Sequence, residues 1–223
     1  MSRNESPTAT TALGRAVDAF RQGRPVCIHD ATDREGETDL VYPAGGVTTE
    51  AMARLRNDAG GLICVALSHD IAETFDLPFR QAVLDHPAAE HHDLAYDERS
   101  SFSLTVNHRD TRTGITDEDR ALTVGALADA AAAPEETVFE QVFRAPGHVH
   151  LLRAAEGLLD QRQGHTELGV ALAEAAGLPP AVVVCEMLDD ETGGALTPAD
   201  AAAYATRRGL EFVDGEQILD RLG

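Results

Sequence analysis

The chain has 223 residues, enough for one sizeable core, and its 43% hydrophobic and 25% charged content excludes a disordered protein. Asp and Glu number 38 against 18 basic residues, a formal charge of -20 that repels phosphate backbones and anionic headgroups, so nucleic acid and membrane surfaces are excluded as partners. Every basic residue is Arg, and an acidic, lysine-free chain reads as adapted to concentrated salt, where screening shortens to ~3 Å at 1 M.

Residues 1–10 are polar and are expected to be a flexible terminus, leaving one domain over 11–223. Leu13, Val17 and Phe20 share a helical face that ends near Gly23, and PVCIHDA then reads as a buried strand. The charged connection TDREGE leads to a second strand over Asp39 to Pro43. A helix is expected over Thr48 to Asp58 and a strand over 61–68. From Leu77 to Arg99 periodicity is weak, which predicts an irregular excursion with His91 and His92 as solvated loop residues. Ser101 to His108 alternates as a strand with Phe102, Leu104 and Val106 on one face. Thr116 followed by Asp119 resembles a capping box heading a helix.

Strands follow over Val149 to Leu152 and Ala181 to Glu186, separated by a helix over Thr166 to Ala176 that Gly177 and Pro179-Pro180 close. A last helix opens with Thr197 as N-cap and Pro198 in its first turn, and stops at Gly209. Interleaved strands and helices without repeats predict a single three-layer α/β domain, a mixed twisted sheet flanked by helices. Cys27, Cys64 and Cys185 lie in apolar runs and read as buried, reduced thiols. No apolar run approaches the ~18 residues of a membrane span, and the start carries no signal-peptide core, so a cytoplasmic protein is expected.

Four segments could carry chemistry. Asp30 to Asp39 (DATDREGETD) crowds five carboxylates around one Arg; it is either a solvated loop or a carboxylate cluster whose repulsion a hard divalent cation relieves. Arg162-Gln-Gly-His-Thr precedes a helix; it reads equally as a helix start capped by Thr166 or as a phosphate cradle with His165 as a metal-ligating imidazole. Arg144 to His150 brings two histidines, His148 and His150, to one face if a strand begins there. Cys185-Glu186 ends an apolar strand in a carboxylate, a position that calls for a structural partner or an acid–base role.

Together and in this order, these segments resemble the 3,4-dihydroxy-2-butanone 4-phosphate synthase family, from about Gly14 onward. The resemblance rests on DREGETD, on Thr-Gly-Ile-Thr-Asp-x-Asp-Arg from Thr113, on Pro146-Gly147-His148, on Arg162-x-Gly-His-Thr166 and on Cys185-Glu186. Arg34-Glu35-Gly36-Glu37-Thr38-Asp39 is closer to the archaeal form of the acidic loop than to the bacterial one. The resemblance implies a lyase that converts ribulose 5-phosphate to 3,4-dihydroxy-2-butanone 4-phosphate and formate. It implies Glu35 and His165 as ligands of Mg²⁺ or Mn²⁺, and His148, Glu186 and Glu37 as acid–base groups. Arg34, Glu35, Asp39, Thr113, Arg162, Gln163, Gly164, His165, Thr166 and Glu186 would bind substrate. It also implies a homodimer with shared active sites. Two other readings are a different metal-dependent isomerase or aldolase, and a non-catalytic sugar-phosphate-binding regulator.

Overall fold

The computed structural model describes residues 11–30, 34–90, 94, 97 and 99–223. The calls on residues 1–10, on His91 and His92, and on Asp33 lie outside them. In chain order the elements are α1 (Ala12–Arg21), β1 (Val26–His29), β2 (Thr38–Pro43), α2 (Thr49–Asp58), β3 (Cys64–Leu67), α3 (His69–Thr74), α4 (Arg80–Val83) and β4 (Phe102–His108). They continue with α5 (Asp117–Ala132), α6 (Phe139–Val142), β5 (Phe143–Arg153), α7 (His165–Ala175), β6 (Ala181–Val184), α8 (Pro198–Arg208), β7 (Glu211–Asp214) and α9 (Gly215–Leu222).

The seven strands form one sheet in the order β4-β5-β3-β6-β2-β1-β7. β3 and β5 are parallel, as are β1 and β7; the other neighbours are antiparallel, so the sheet is mixed as expected. Strand residues alternate between two cores. Cys27, Leu40, Val65, Leu67, Leu151 and Val183 face Met52, Leu55, Leu127 and Tyr204 of α2, α5 and α8. Val26, Ile28, Cys64, Ala66, Val182 and Val184 face Leu13, Val17, Phe20, Leu168, Leu172 and Ile218 of α1, α7 and α9. Both sheet faces are therefore covered, which explains why the central strands are apolar throughout rather than alternating with polar residues. All three cysteines are buried and free, and burial pushes the Cys27 and Cys185 thiols up to about 12. Among the described residues no helix is long and apolar enough to cross a membrane.

Four expectations change. The excursion is not irregular throughout, since it contains α4 and a 3-10 turn at Pro87–Ala89. The strand at 149–152 is longer, because Phe143 and Arg144 also pair with β4 while residues 145–148 bulge out of the ladder. The cap of α7 is Gly164, with no side-chain bond, so Thr166 lies inside the first turn and does not cap it. Thr116 does cap α5, accepting the Asp119 N–H at 3.1 Å, but the Asp119 carboxylate turns to the amides of Arg112, Thr113 and Gly114 instead of closing a box. α3, α6, β7 and α9 were not expected, and α9 follows the helix that was expected to be last.

Candidate active site

One end of the neighbouring strands β1, β2 and β6, inside the sheet, gathers most of the candidate residues. The connection from β1 to β2 carries the acidic run, β6 ends beside it, and an isolated bridge pairs Asp39 with Glu186. The bonds from Leu40 N–H to Cys185 O (2.9 Å) and from Met187 N–H to Thr38 O (2.8 Å) hold that register. α7 points its N-terminus at the same place. The result is a cavity of about 260 Å³ lined by Arg34, Glu35, Glu37, Asp39, Arg162, His165, Thr166 and Glu186, with Cys64, Ser101 and Phe102 on its walls.

Asp30, fully buried, shapes the acidic loop. Its two oxygens accept the N–H groups of Glu37 (3.0 Å) and Glu35 (3.3 Å), and the Arg34 Nε lies 3.9 Å away. This turns Glu35 toward His165, whose Nδ1 lies 3.5 Å from Glu35 Oε2 and 3.6 Å from Asp39 Oδ1. Asp30, Glu35 and His165 offer ligand atoms within 4.8 Å of one another. His165 Nε2 and Asp39 Oδ1 are buried without a hydrogen-bond partner, a costly arrangement for polar atoms. Mixed carboxylate and imidazole donors with unmet bonding capacity fit a hard divalent cation.

The electrostatics agree. The bond to His165 holds Glu35 below the usual carboxylate range, against desolvation. Burial, reinforced by Glu186 and Glu35, raises Asp39 to about 7. Burial alone would lower His165, but attraction to Asp39, the Glu35 bond and Asp30 outweigh it and lift the imidazole to about 9. Glu37 is raised by burial first and then by its neighbours Glu35 and Glu186.

The cationic wall is equally organised. Glu167, fully buried, accepts Arg162 Nη1 at 2.7 Å and the Ala155 N–H at 3.0 Å, while Asp97 accepts from both Arg162 and Arg34. A Cβ on Gly164 would stand 2.8 Å from Arg162 Nη1 and 3.1 Å from Arg34 Nη2, so glycine is what lets both guanidinium groups close over the helix start. The first-turn amides of α7 thus meet two arginines without a capping side chain, which suits an anion.

Four expected residues, Gln163, Gly164, His148 and Thr113, do not line this cavity. Gln163 is exposed, its amide 3.5 Å from Leu159 O. His148 and Thr113 form a second cluster at the far end of β4. His148 N–H donates to Asn107 Oδ1 at 2.8 Å and its ring Nδ1 lies 3.2 Å from the Asn107 amide nitrogen, while Gly114 packs on the same Asn107 side chain. A Cβ on Gly147 would meet the Val106 carbonyl carbon at 1.9 Å, so only glycine admits the bulge that presents His148. His148 and His150 do not act as a pair: His150 stays in the ladder, its ring 5.6 Å from Phe102. Sequence reasoning missed Asp30 as the loop's organiser, Glu167 and Asp97 as the arginine partners, and Asn107 as the support of His148.

The family profile described as 3,4-dihydroxy-2-butanone 4-phosphate synthase matches residues 14–221. The chain belongs to that family. A synthase from Archaeoglobus fulgidus is 51% identical over 217 residues, covering 92% of this chain and 91% of the relative. One from Saccharomyces cerevisiae is 35% identical over 216 residues, covering 95% and 98%. The crystal structure of the Candida albicans synthase aligns with TM-score 0.79 at 33% identity, over 96% of this chain and 98% of that one. A synthase structure described as in complex with two magnesium ions aligns with TM-score 0.80 at 34% identity, over 93% and 94%. The 3,4-dihydroxy-2-butanone 4-phosphate synthase fold is thus shared across the whole described sheet.

Proposed function

We propose that this chain is the divalent-metal-dependent lyase that converts ribulose 5-phosphate to 3,4-dihydroxy-2-butanone 4-phosphate and formate in riboflavin biosynthesis. The observation that carries this reading is the buried meeting of His165 with Glu35 and Asp39, at 3.5 and 3.6 Å, on the wall of an arginine-bordered cavity. Glu35 and His165, joined by Asp30, would hold Mg²⁺ or Mn²⁺. When bound, the ion supplies Lewis acidity for developing oxyanions on the substrate.

The reaction requires enolisation, loss of water, a skeletal shift and excision of one carbon, so protons must move on and off atoms beside a carbonyl. Arg162, Arg34 and the amides at Thr166 bind the phosphate and fix the polyol along the cavity. Glu37 and Glu186 stand on the cavity wall, where each can take a proton from carbon or return one to a leaving hydroxyl. Asp39, raised to about 7, is poised to share that work.

His148 and Thr113 complete the site from a second copy, in a cytoplasmic homodimer. Two observations support this: both lie on an exposed cluster away from the cavity of their own chain, and Ile115 and Leu122 nearby leave apolar surface exposed at 52% and 43%. Operation in concentrated salt accounts for the acidic, lysine-free composition. Formate release from ribulose 5-phosphate tests the reaction, and Glu186→Gln and His148→Ala should each lose at least ~10²-fold in turnover. Mixing inactive His165→Ala with inactive His148→Ala should restore about a quarter of the sites if the two copies share them. No recovery after subunit exchange would dismiss the shared site.

A further inference from the structure

Beside the substrate cavity lies a second one, of about 610 Å³, whose walls include Phe79, Arg99, Ser101, Arg153, Gln161 and Arg162. Three arginines around one cavity are conspicuous in a chain with 18 cations against 38 acids. Arg153 is buried; its terminal nitrogens bond Glu73 and the Leu77 carbonyl, but its Nε is buried with no partner. Arg99 lies 3.8 Å from the centre of the Phe79 ring, and the Arg153 guanidinium lies 4.5 Å from the same centre. Among the described residues Arg99 makes no ion pair, so two like charges meet at one ring with only Arg153 neutralised. Gln161 uses its amide oxygen to accept the Gly157 N–H at 3.0 Å, which leaves its amide N–H₂ to donate. Ser101 adds a hydroxyl. Asp97 also borders the cavity, but it accepts from Arg34 and Arg162.

Apart from the Asp97 carboxylate, which Arg34 and Arg162 already occupy, the polar walls present donors, and of the three arginines Arg99 is the one with no carboxylate among the described residues, since Arg153 pairs with Glu73 and Arg162 with Asp97 and Glu167. A tetrahedral oxyanion satisfies such donors best. We propose that this cavity is a second oxyanion site, taking a phosphate-class dianion alongside the substrate, with Arg99 and Arg153 as its charge partners. It is distinct from the substrate cavity yet shares Ser101 and Arg162 with it, so filling it perturbs the arginine that holds the substrate phosphate. Inorganic phosphate should then lower turnover as a mixed inhibitor and not as a purely competitive one.

The test compares wild type with Arg99→Gln and Arg99→Lys at constant ionic strength. Binding of inorganic phosphate is measured by calorimetry, with and without Mg²⁺, and the KM for ribulose 5-phosphate is measured alongside. Arg99 is exposed, so both variants should melt with wild type. The expected result is ~10-fold weaker phosphate binding in Arg99→Gln, an intermediate loss in Arg99→Lys, which keeps the charge but not the fork, and a KM within about twofold of wild type. Unchanged phosphate binding in Arg99→Gln would overturn the site. A KM that rises in step with the loss of phosphate binding, with strictly competitive inhibition, would also overturn it, by making the cavity part of the substrate's own seat. The binding arm stands apart from the reaction proposed above; only the KM arm rests on it.

Discussion

Changing Asp30 to Asn would test whether one buried carboxylate organises the acidic loop. Its oxygens accept two backbone N–H groups, at 3.0 and 3.3 Å, from the residues on either side of Gly36. Asn can accept only one of them; its N–H₂ must face the other donor. A bond to a charged acceptor contributes about 1.5–3 kcal/mol, and a donor left buried adds to the loss, so about 3 kcal/mol is expected in all. In a domain of this size each kcal/mol shifts Tm by about 2–4 °C, so the variant should melt roughly 6–12 °C lower but remain folded at 25 °C. Metal binding should weaken further, by about 10–100-fold, because Glu35 loses its support and the cluster loses one charge. Thermal melts in chelator followed by Mg²⁺ titration calorimetry separate the two effects. An Asp30→Asn protein that melts with wild type and binds Mg²⁺ with the same Kd would refute the loop's dependence on Asp30.

Glu35→Gln and His165→Ala should abolish Mg²⁺ binding in the same assay, and chelator should abolish activity that Mg²⁺ or Mn²⁺ restores; full turnover in chelator would remove the metal from the mechanism. Gly147→Ala forces Cβ to within 2.2 Å of the Val106 carbonyl oxygen, so the bulge must shift by roughly 1 Å and turnover should fall by up to ~10²-fold while Mg²⁺ affinity stays normal. Unchanged turnover there would show that His148 needs no such placement. Because His165 is raised to about 9, the metal-free imidazole is protonated at neutral pH and must lose its proton to bind a cation. Binding should thus release a proton and tighten as pH rises toward 9; calorimetric heats at pH 7.5 that do not vary with buffer ionisation enthalpy would contradict this. Finally, with a formal charge of -20, Tm should rise with KCl to molar concentrations as the Debye length falls from ~30 Å at 0.01 M to ~3 Å at 1 M. A variant with about ten surface acids neutralised should gain less; equal gains would end the salt-adaptation reading.

The regular elements were legible where local chemistry decides them. Thr48, Thr116 and Thr197 all cap the helices they were expected to head, and the apolar runs at Cys27, Cys64 and Val183 are core strands. β7 escaped because a four-residue strand, Glu211–Asp214, has no periodicity of its own and is defined by pairing with β1. α9 was readable in principle from its Asp214 cap and the spacing of Ile218, Leu219 and Leu222, but it follows directly on β7 without a turn. In the site, residue types revealed the carboxylates, His165 and Arg162. They could not reveal how each acid is used: Asp30 and Asp39 look alike in the run DATDREGETD and both are buried, and only hydrogen bonding separates them, Asp30 accepting two loop amides while Asp39 Oδ1 has no hydrogen-bond partner. Asn107 is a single polar residue at the end of a strand, and its role emerges only where the bulge at Gly147 folds against it.

The pairing of β1 with β7 bears on how the protein is made. During synthesis β1, the acidic loop and β2 leave the ribosome one after another, and they can close as an antiparallel hairpin at once. The outer edge of β1 must then wait for β7, which begins 185 residues further along the chain, at Glu211 against Val26. An unpaired edge of four buried residues, Val26 to His29, is a template for annealing with another nascent chain. The carboxylates at the hairpin's end carry like charge on every copy, so the charges that crowd the cavity would also repel neighbouring unfinished chains.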